Sequence, residues 1–193
     1  ILADLMTIEE HCKKPLNKIK VVFPGDVRNN MCYAWMMGAA KLGMHFVAMG
    51  PEELAKQMDK DVVNSTFAEA RENGGLIEIT DNKADLKGAD VIYGDVWASM
   101  GEEAQIPERV RLLSPFRVTE ETLKATENPD VLYLHCLPSF HDFETTLAKE
   151  QNEKGYDIRE VTDEVFRSKN SKVFDEAENR MHTIKSVIVA TIG

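Results

Sequence analysis

Lys20-Val21-Val22-Phe23-Pro24-Gly25-Asp26-Val27-Arg28-Asn29-Asn30 carries the pattern that decides the fold: a β-branched run, a loop with one glycine, then the start of a helix. The helix reads from Asn30 to Leu42 and stops at Gly43, because glycine adopts the left-handed conformation that ends helices at no steric cost. His45–Met49 follows as a second apolar run. Branched and aromatic residues favour extended backbone, so each such run reads as a strand.

Working outward, the pattern repeats. Pro51-Glu52-Glu53 opens a helix, a further helix spans Ser65 to Glu72, and Leu76–Ile79 reads as the third strand. Asp90–Gly94 is the fourth strand, Glu102–Leu113 and Thr119–Thr126 are helical, and Val131–His135 is the fifth strand. Before the first strand, Leu2, Leu5, Met6 and Ile8 recur at helical spacing up to Pro15; after the fifth, Asp163–Ser168 and Phe174–Thr191 read as helices. Continuous apolar strands alternating with helices predict α/β architecture, a three-layer α/β/α Rossmann-like domain with a mostly parallel sheet of four to five strands.

The chain has 193 residues and a formal net charge of −10, with 43% hydrophobic residues. That composition is globular, and a chain of this length buries roughly 70% of its unfolded surface. An acidic chain with no basic stripe is expected to bind neither nucleic acid nor membrane surfaces. Its longest apolar stretches fall short of the ~20 residues of a spanning helix, and no signal segment opens it, so a cytoplasmic setting is expected. Cys12, Cys32 and Cys136 leave an unpaired thiol and show no CxxC spacing, which argues for reduced surroundings and against a structural zinc site. Ile1 is not an initiator methionine and a helix is already under way there, so a fragment is expected.

Ligands of parallel sheets bind beyond the carboxyl ends of the strands. Three loops therefore matter: Gly25–Asn30, Asp95–Gly101 and His135–Ser139. The first lacks the GxGxxG pattern, and no acid ends the second strand, which argues against a nicotinamide cofactor. Asn29 and Asn30 suit a carboxylate at a helix N-terminus or a plain helix cap. Asp95, Ser99 and the Met100 backbone suit an amino acid's ammonium and carboxylate, or a turn and its cap. Trp97 reads as packing.

His135 beside Cys136 is where an imidazole could lower a thiol pKa, although adjacent strand residues face opposite ways; metal binding with His141 and Asp142 is a further option. Arg180 could aim at a carbonyl or phosphate oxygen, or pair with Glu176 along its helix. The Glu9-Glu10, Glu52-Glu53, Glu102-Glu103 and Glu120-Glu121 doublets read as solvated faces, and Met31, Met36, Met37, Met44 and Met49 as core filling.

Taken in order, Gly25-Asp-x-Arg-Asn-Asn-Met31, Asp95-x-Trp-x-Ser-Met-Gly101, His135-Cys-Leu-Pro138 and Phe174-Asp-Glu-Ala-Glu-Asn-Arg-Met-His-Thr-Ile-Lys185 resemble the ornithine carbamoyltransferases. The resemblance covers essentially residues 1–193 and corresponds to that family's ornithine-binding domain with its C-terminal helix. It implies that the carbamoyl-phosphate domain, with its Ser-Thr-Arg-Thr and His-Pro-x-Gln motifs and most homotrimer contacts, lies before residue 1. It further implies that Asn30 and the Met100 backbone hold the ornithine α-carboxylate, Asp95 the α-ammonium, and Ser99 assists. Cys136 would face the δ-amine, Leu137 and Arg180 the carbamoyl group, and His135 would shape the loop; Ser139 stands where the family more often has alanine.

The implied reaction joins L-ornithine and carbamoyl phosphate into citrulline and phosphate, within arginine metabolism, with no metal or organic cofactor. Two alternatives stay open: a binding module without turnover, since the phosphate loop is absent, and a related acceptor such as putrescine, which the Asp95–Gly101 loop disfavours because a diamine has no α-carboxylate.

Overall fold

A computed structural model describes residues 1–98 and 101–193. Five parallel strands, β1 (Lys20–Pro24), β2 (His45–Met49), β3 (Leu76–Thr80), β4 (Val91–Gly94) and β5 (Leu132–His135), form one sheet in the order β3-β2-β1-β4-β5. The nine α-helices among the described residues are α1 (Leu2–His11), α2 (Asn30–Leu42), α3 (Glu52–Ala55), α4 (Lys60–Glu72), α5 (Ile106–Leu113), α6 (Glu120–Ala125), α7 (Thr146–Glu153), α8 (Asp163–Phe166) and α9 (Val173–Ile192).

Both sheet faces are covered, which is why the strands read as unbroken apolar runs. Val21, Phe23, Phe46, Val91, Tyr93, Leu132 and Leu134 point into one core with Ile8, Trp35 and Met36 from α1 and α2. Their neighbours Val22, Val47, Ile92 and Tyr133 point into the other, with Val118, Val165, Phe166 and Val173. Period-two alternation thus divides each strand between two cores. Gly43 takes φ 64° at the end of α2, and a Cβ there would meet the Asn73 carbonyl oxygen at 2.5 Å.

The predicted three-layer architecture holds, with all five strands parallel. Several boundaries move. The helix expected from Ser65 starts at Lys60, because Asp59 caps it by accepting from the Asp61 and Val62 amides. Glu102–Leu113 divides into a short 3-10 turn, Glu103–Gln105, and α5 from Ile106, with Pro107 in its first turn; α7, which the polar run Thr146–Glu153 did not betray, is capped by Thr145. Met37 is 44% exposed, so that methionine is not core filling. Glu102 is also no solvated face residue, since Arg109 binds its carboxylate.

The strand order reverses between β1 and β4, and the loops after β1, β4 and β5 meet beside that switch point. No helix among the described residues is long and apolar enough to cross a membrane.

Candidate functional site

The site is built from the ends of β4 and β5. Asp95 follows β4 and is buried; its Oδ1 accepts from the Val96 amide at 2.8 Å and from Cys136 Sγ at 3.2 Å. Register sets Gly94 opposite His135, so the residues following each, Asp95 and Cys136, become neighbours. Gly94 is required there: a Cβ would lie 2.5 Å from the Tyr133 hydroxyl and 2.9 Å from the His135 ring.

Burial pushes the Asp95 carboxyl above the usual aspartate range, against the thiol's hydrogen bond and the nearby His135. Burial and the Asp95 charge push the Cys136 thiol far up as well. The sequence expectation that an imidazole lowers this thiol's pKa is therefore overturned. His135 faces the other way, as strand alternation requires: its Nδ1 accepts from the Leu137 amide at 3.1 Å, and its Nε2 lies 3.2 Å from Glu160 Oε1.

The loop after β5 is tightly held. Glu160, which is buried, accepts from Ser139 Oγ at 2.7 Å and from the Phe140 amide at 2.6 Å. Leu137 takes φ 33° and its peptide to Pro138 is cis. From α9, Glu176 Oε2 accepts from the His135 amide at 2.8 Å. The expected Arg180–Glu176 ion pair is thus absent: the Glu176 side chain is turned inward, whereas Arg180 is exposed one turn further on.

A cleft of about 670 Å³ runs between α1, α9 and the strand ends, lined by Asp4, Met31, Tyr93, Cys136, Glu176 and Arg180 among others. An apolar cavity of about 280 Å³, lined by Trp97, Ile106, Val110, Phe140, Leu147 and Ile158, adjoins it; Cys136 and Leu137 border both.

Asn30 begins α2 exposed, while Asn29 is the cap, accepting from the Met31 amide at 2.8 Å. Asn30 lines a separate polar hollow with Asp26, Arg28 and Arg109 rather than the Arg180 cleft. Ser99 and Met100 lie outside the described residues. Asp95, His135, Cys136, Leu137 and Arg180 are brought together; the metal option uniting His135 and Cys136 with His141 and Asp142 is not. His141 Nδ1 instead meets Asp163 Oδ1 at 2.7 Å, and Arg167 Nε shares that carboxylate.

Residues 17–191 match the family described as aspartate/ornithine carbamoyltransferase, Asp/Orn binding domain. The chain belongs to that family. Over its whole length it is 58% identical to "Ornithine carbamoyltransferase, catabolic" of Clostridium perfringens and 49% identical to the catabolic ornithine carbamoyltransferase of Bacillus licheniformis. It spans 59% and 57% of those relatives. Among solved structures, ornithine carbamoyltransferase from Pyrococcus furiosus superposes with a TM-score of 0.79 at 39% identity over 96% of this chain and 53% of that one. The anabolic enzyme of Campylobacter jejuni gives 0.81 at 31% identity, over 97% and 55%.

Around this site lie polar residues that the sequence did not announce. Asp4 is an acid inside an amphipathic helix, Glu160 lies in an irregular segment, and Arg109 reads as one surface charge among several. The available signal was Asp4 itself, a carboxylate between Ala3 and Leu5 where helical spacing predicts a buried face. Trp97 is packing, as expected, with the Arg117 guanidinium 5.3 Å above its ring.

Proposed function

We propose that this chain is the ornithine-binding half of an ornithine carbamoyltransferase. The observation that carries the reading is the buried Asp95–Cys136 contact at the sheet's carboxyl edge, whose Cys136 lines a cleft that also presents Arg180. A carboxylate raised by burial gains most from a cationic partner, and an amino acid's α-ammonium supplies one. The family resemblance assigns the α-carboxylate to Asn30, although that residue lines a hollow apart from the Arg180 cleft, and to the Met100 backbone, with Ser99 assisting.

The second amine is the nucleophile. An alkyl ammonium with a pKa near ~10.4 cannot attack until it loses a proton, which passes to solvent as the ligand binds; a neutral Cys136 thiol beside the amine, rather than a thiolate, adds no second negative charge to that of Asp95 to hold the proton on. The freed δ-nitrogen pair then attacks the carbonyl carbon of carbamoyl phosphate. Arg180 and the Leu137 carbonyl orient the carbamoyl group, and the guanidinium stabilises the oxyanion. The bond between the carbonyl carbon and the phosphate oxygen breaks, and the attacking nitrogen's surplus proton leaves with the departing phosphate, giving citrulline and hydrogen phosphate. His135 positions the loop. Carbamoyl phosphate's phosphate contacts, a homotrimeric assembly and a cytoplasmic setting belong to the same reading.

Calorimetric titration of the chain with L-ornithine, putrescine and L-aspartate tests it, together with citrulline formation by the full-length protein. Saturable binding of ornithine alone supports the reading. Preferential aspartate or putrescine binding, or no citrulline from the full-length protein, rejects it.

A further inference from the structure

One carboxylate reaches both ends of the turn that carries Cys136 and Leu137. Glu160 is 2% exposed, and its Oε1 accepts from Ser139 Oγ at 2.7 Å and from the Phe140 amide at 2.6 Å, at the far end of the turn. The same oxygen lies 3.2 Å from Nε2 of His135, the near end, whose ring is also buried. Between the two ends, the Leu137 amide donates to His135 Nδ1 at 3.1 Å. We propose that Glu160 is a positioning residue: through His135 and Phe140 it sets the direction in which the turn presents the Leu137 carbonyl to the cleft.

The two nitrogens of His135 have separate tasks. An Nδ1 that accepts from an amide bears no proton, so the ring's proton is on Nε2. That N–H faces the Glu160 carboxylate, and the opposite tautomer would turn a lone pair toward the negative charge. The N–H and the carboxylate are close but not aligned as a hydrogen bond, so the hold is electrostatic. Leu137 itself sits at φ 33°, in the left-handed region that disfavours a residue with a side chain. Such a conformation persists only where its surroundings over-determine it, and the contacts that do so here converge on Glu160.

Glu160 is held from behind. Its carbonyl accepts from the Val118 amide at 2.9 Å, and Arg117 donates to the carbonyls of Arg159 at 2.6 Å and Asp157 at 3.0 Å on the same segment. The Arg117 guanidinium also lies over Trp97, in the loop that follows Asp95. The frame that fixes the turn after β5 is thus continuous with the loop after β4. Buried within that frame, Glu160 acts through the turn and does not touch substrate.

The clamp stands on geometry alone, whereas its catalytic meaning rests on the proposed function, so the test has two arms. In the first, the ligand-free chain is followed by NMR. The ¹⁵N shifts of His135 should show Nδ1 as the unprotonated nitrogen. Glu160→Ala should mix the two ring tautomers and speed hydrogen exchange at the Leu137 and Phe140 amides at least about tenfold more than at the β2 amides, which report global stability. Glu160→Gln, which keeps one acceptor oxygen, should shift both readouts the same way by less. A His135 proton on Nδ1, or turn amides indifferent to both variants, overturns the proposal.

In the second arm, Glu160→Gln in the full-length protein should lower kcat at least about tenfold while the KM for ornithine moves less than about threefold, because the displaced group is the Leu137 carbonyl and not the ammonium site at Asp95. An unchanged kcat, or a change confined to the ornithine KM, overturns the positioning role. If the unaltered full-length protein forms no citrulline while the first arm holds, the functional reading falls, and with it the catalytic role, while the clamp stands.

Discussion

The Cys136 thiol donates to Asp95 Oδ1 across the gap between β5 and β4, at 3.2 Å. A thiol giving its proton to a buried carboxylate is held in its neutral form twice over, by burial and by the negative charge its thiolate would face.

The first consequence is chemical inertness. A free cysteine with a pKa near ~8.5 is substantially thiolate at pH 8, and each unit of upward shift lowers that fraction about tenfold. Cys136 should therefore react with iodoacetamide at pH 8 at least about tenfold more slowly than an unhindered cysteine. Asp95→Asn, which removes the opposing charge, should raise its rate. Site-resolved mass spectrometry reads both, and alkylation at the free-cysteine rate would show that the hydrogen bond does not hold the proton.

The same pair makes a prediction about affinity. Asp95→Asn and Cys136→Ala should each weaken ornithine binding or turnover at least about tenfold, or 1.4 kcal/mol. Because the two side chains touch, their effects should not add, and the double variant should fall short of the sum by about 0.5 kcal/mol or more. Strict additivity in titration calorimetry would mean that each residue acts independently on the ligand.

Much of this arrangement is legible in the sequence, and the legible part has one physical origin. Strands buried on both faces carry unbroken apolar runs, so Lys20–Pro24 and His45–Met49 declare themselves, and the loops that follow are where a parallel sheet exposes backbone. Cys136 and Asp95 were reachable by that route. The pairings were not, because they depend on register: Gly94 opposite His135 is a tertiary fact. Glu176 was misjudged for a related reason. Its spacing from Arg180 allows an ion pair along the helix, but the buried His135 amide on a strand 41 residues earlier outcompetes a solvent-exposed partner. Capping decided the boundaries that moved, since Asp59 and Thr145 act through hydrogen bonds that periodicity does not register.

Glu160 should prove the main stabilising residue of the loop after β5. It accepts from Ser139 Oγ and the Phe140 amide and lies 3.2 Å from His135 Nε2, all in a buried position. Glu160→Ala strands those donors, and buried unsatisfied groups cost about 1–3 kcal/mol each. A loss of about 3 kcal/mol in urea unfolding is expected, with Glu160→Gln losing clearly less because one acceptor oxygen remains. Equal losses would mean that side-chain volume, not hydrogen bonding, is what the loop requires.

Asp26 gives a pH dependence whose sign can be worked out. Burial pushes its carboxyl up, but the hydrogen bonds and charge of Arg28, with Arg109 beyond, outweigh burial and hold it below the ordinary aspartate range. Arg28 donates to both carboxylate oxygens, and Arg109 pairs with the same carboxylate while its other nitrogen reaches Glu102 Oε1 at 2.9 Å. A carboxyl whose pKa is lower folded than unfolded contributes stability that is complete above its unfolded pKa of about 3.9 and is lost as pH falls through the folded value. Asp26→Asn should therefore cost about 3 kcal/mol at neutral pH, as expected when one partner of a buried ion pair is removed. It should also make the fall in melting temperature below about pH 4 shallower. The acid limb should persist in part, because Asp157, held low mainly by Arg159 against burial, titrates in the same window. Since Asp26 ties the loop bearing Asn30 to α5 through Arg109, the variant should loosen ornithine binding too; an unchanged acid limb would show that Asp26 has the same pKa folded and unfolded.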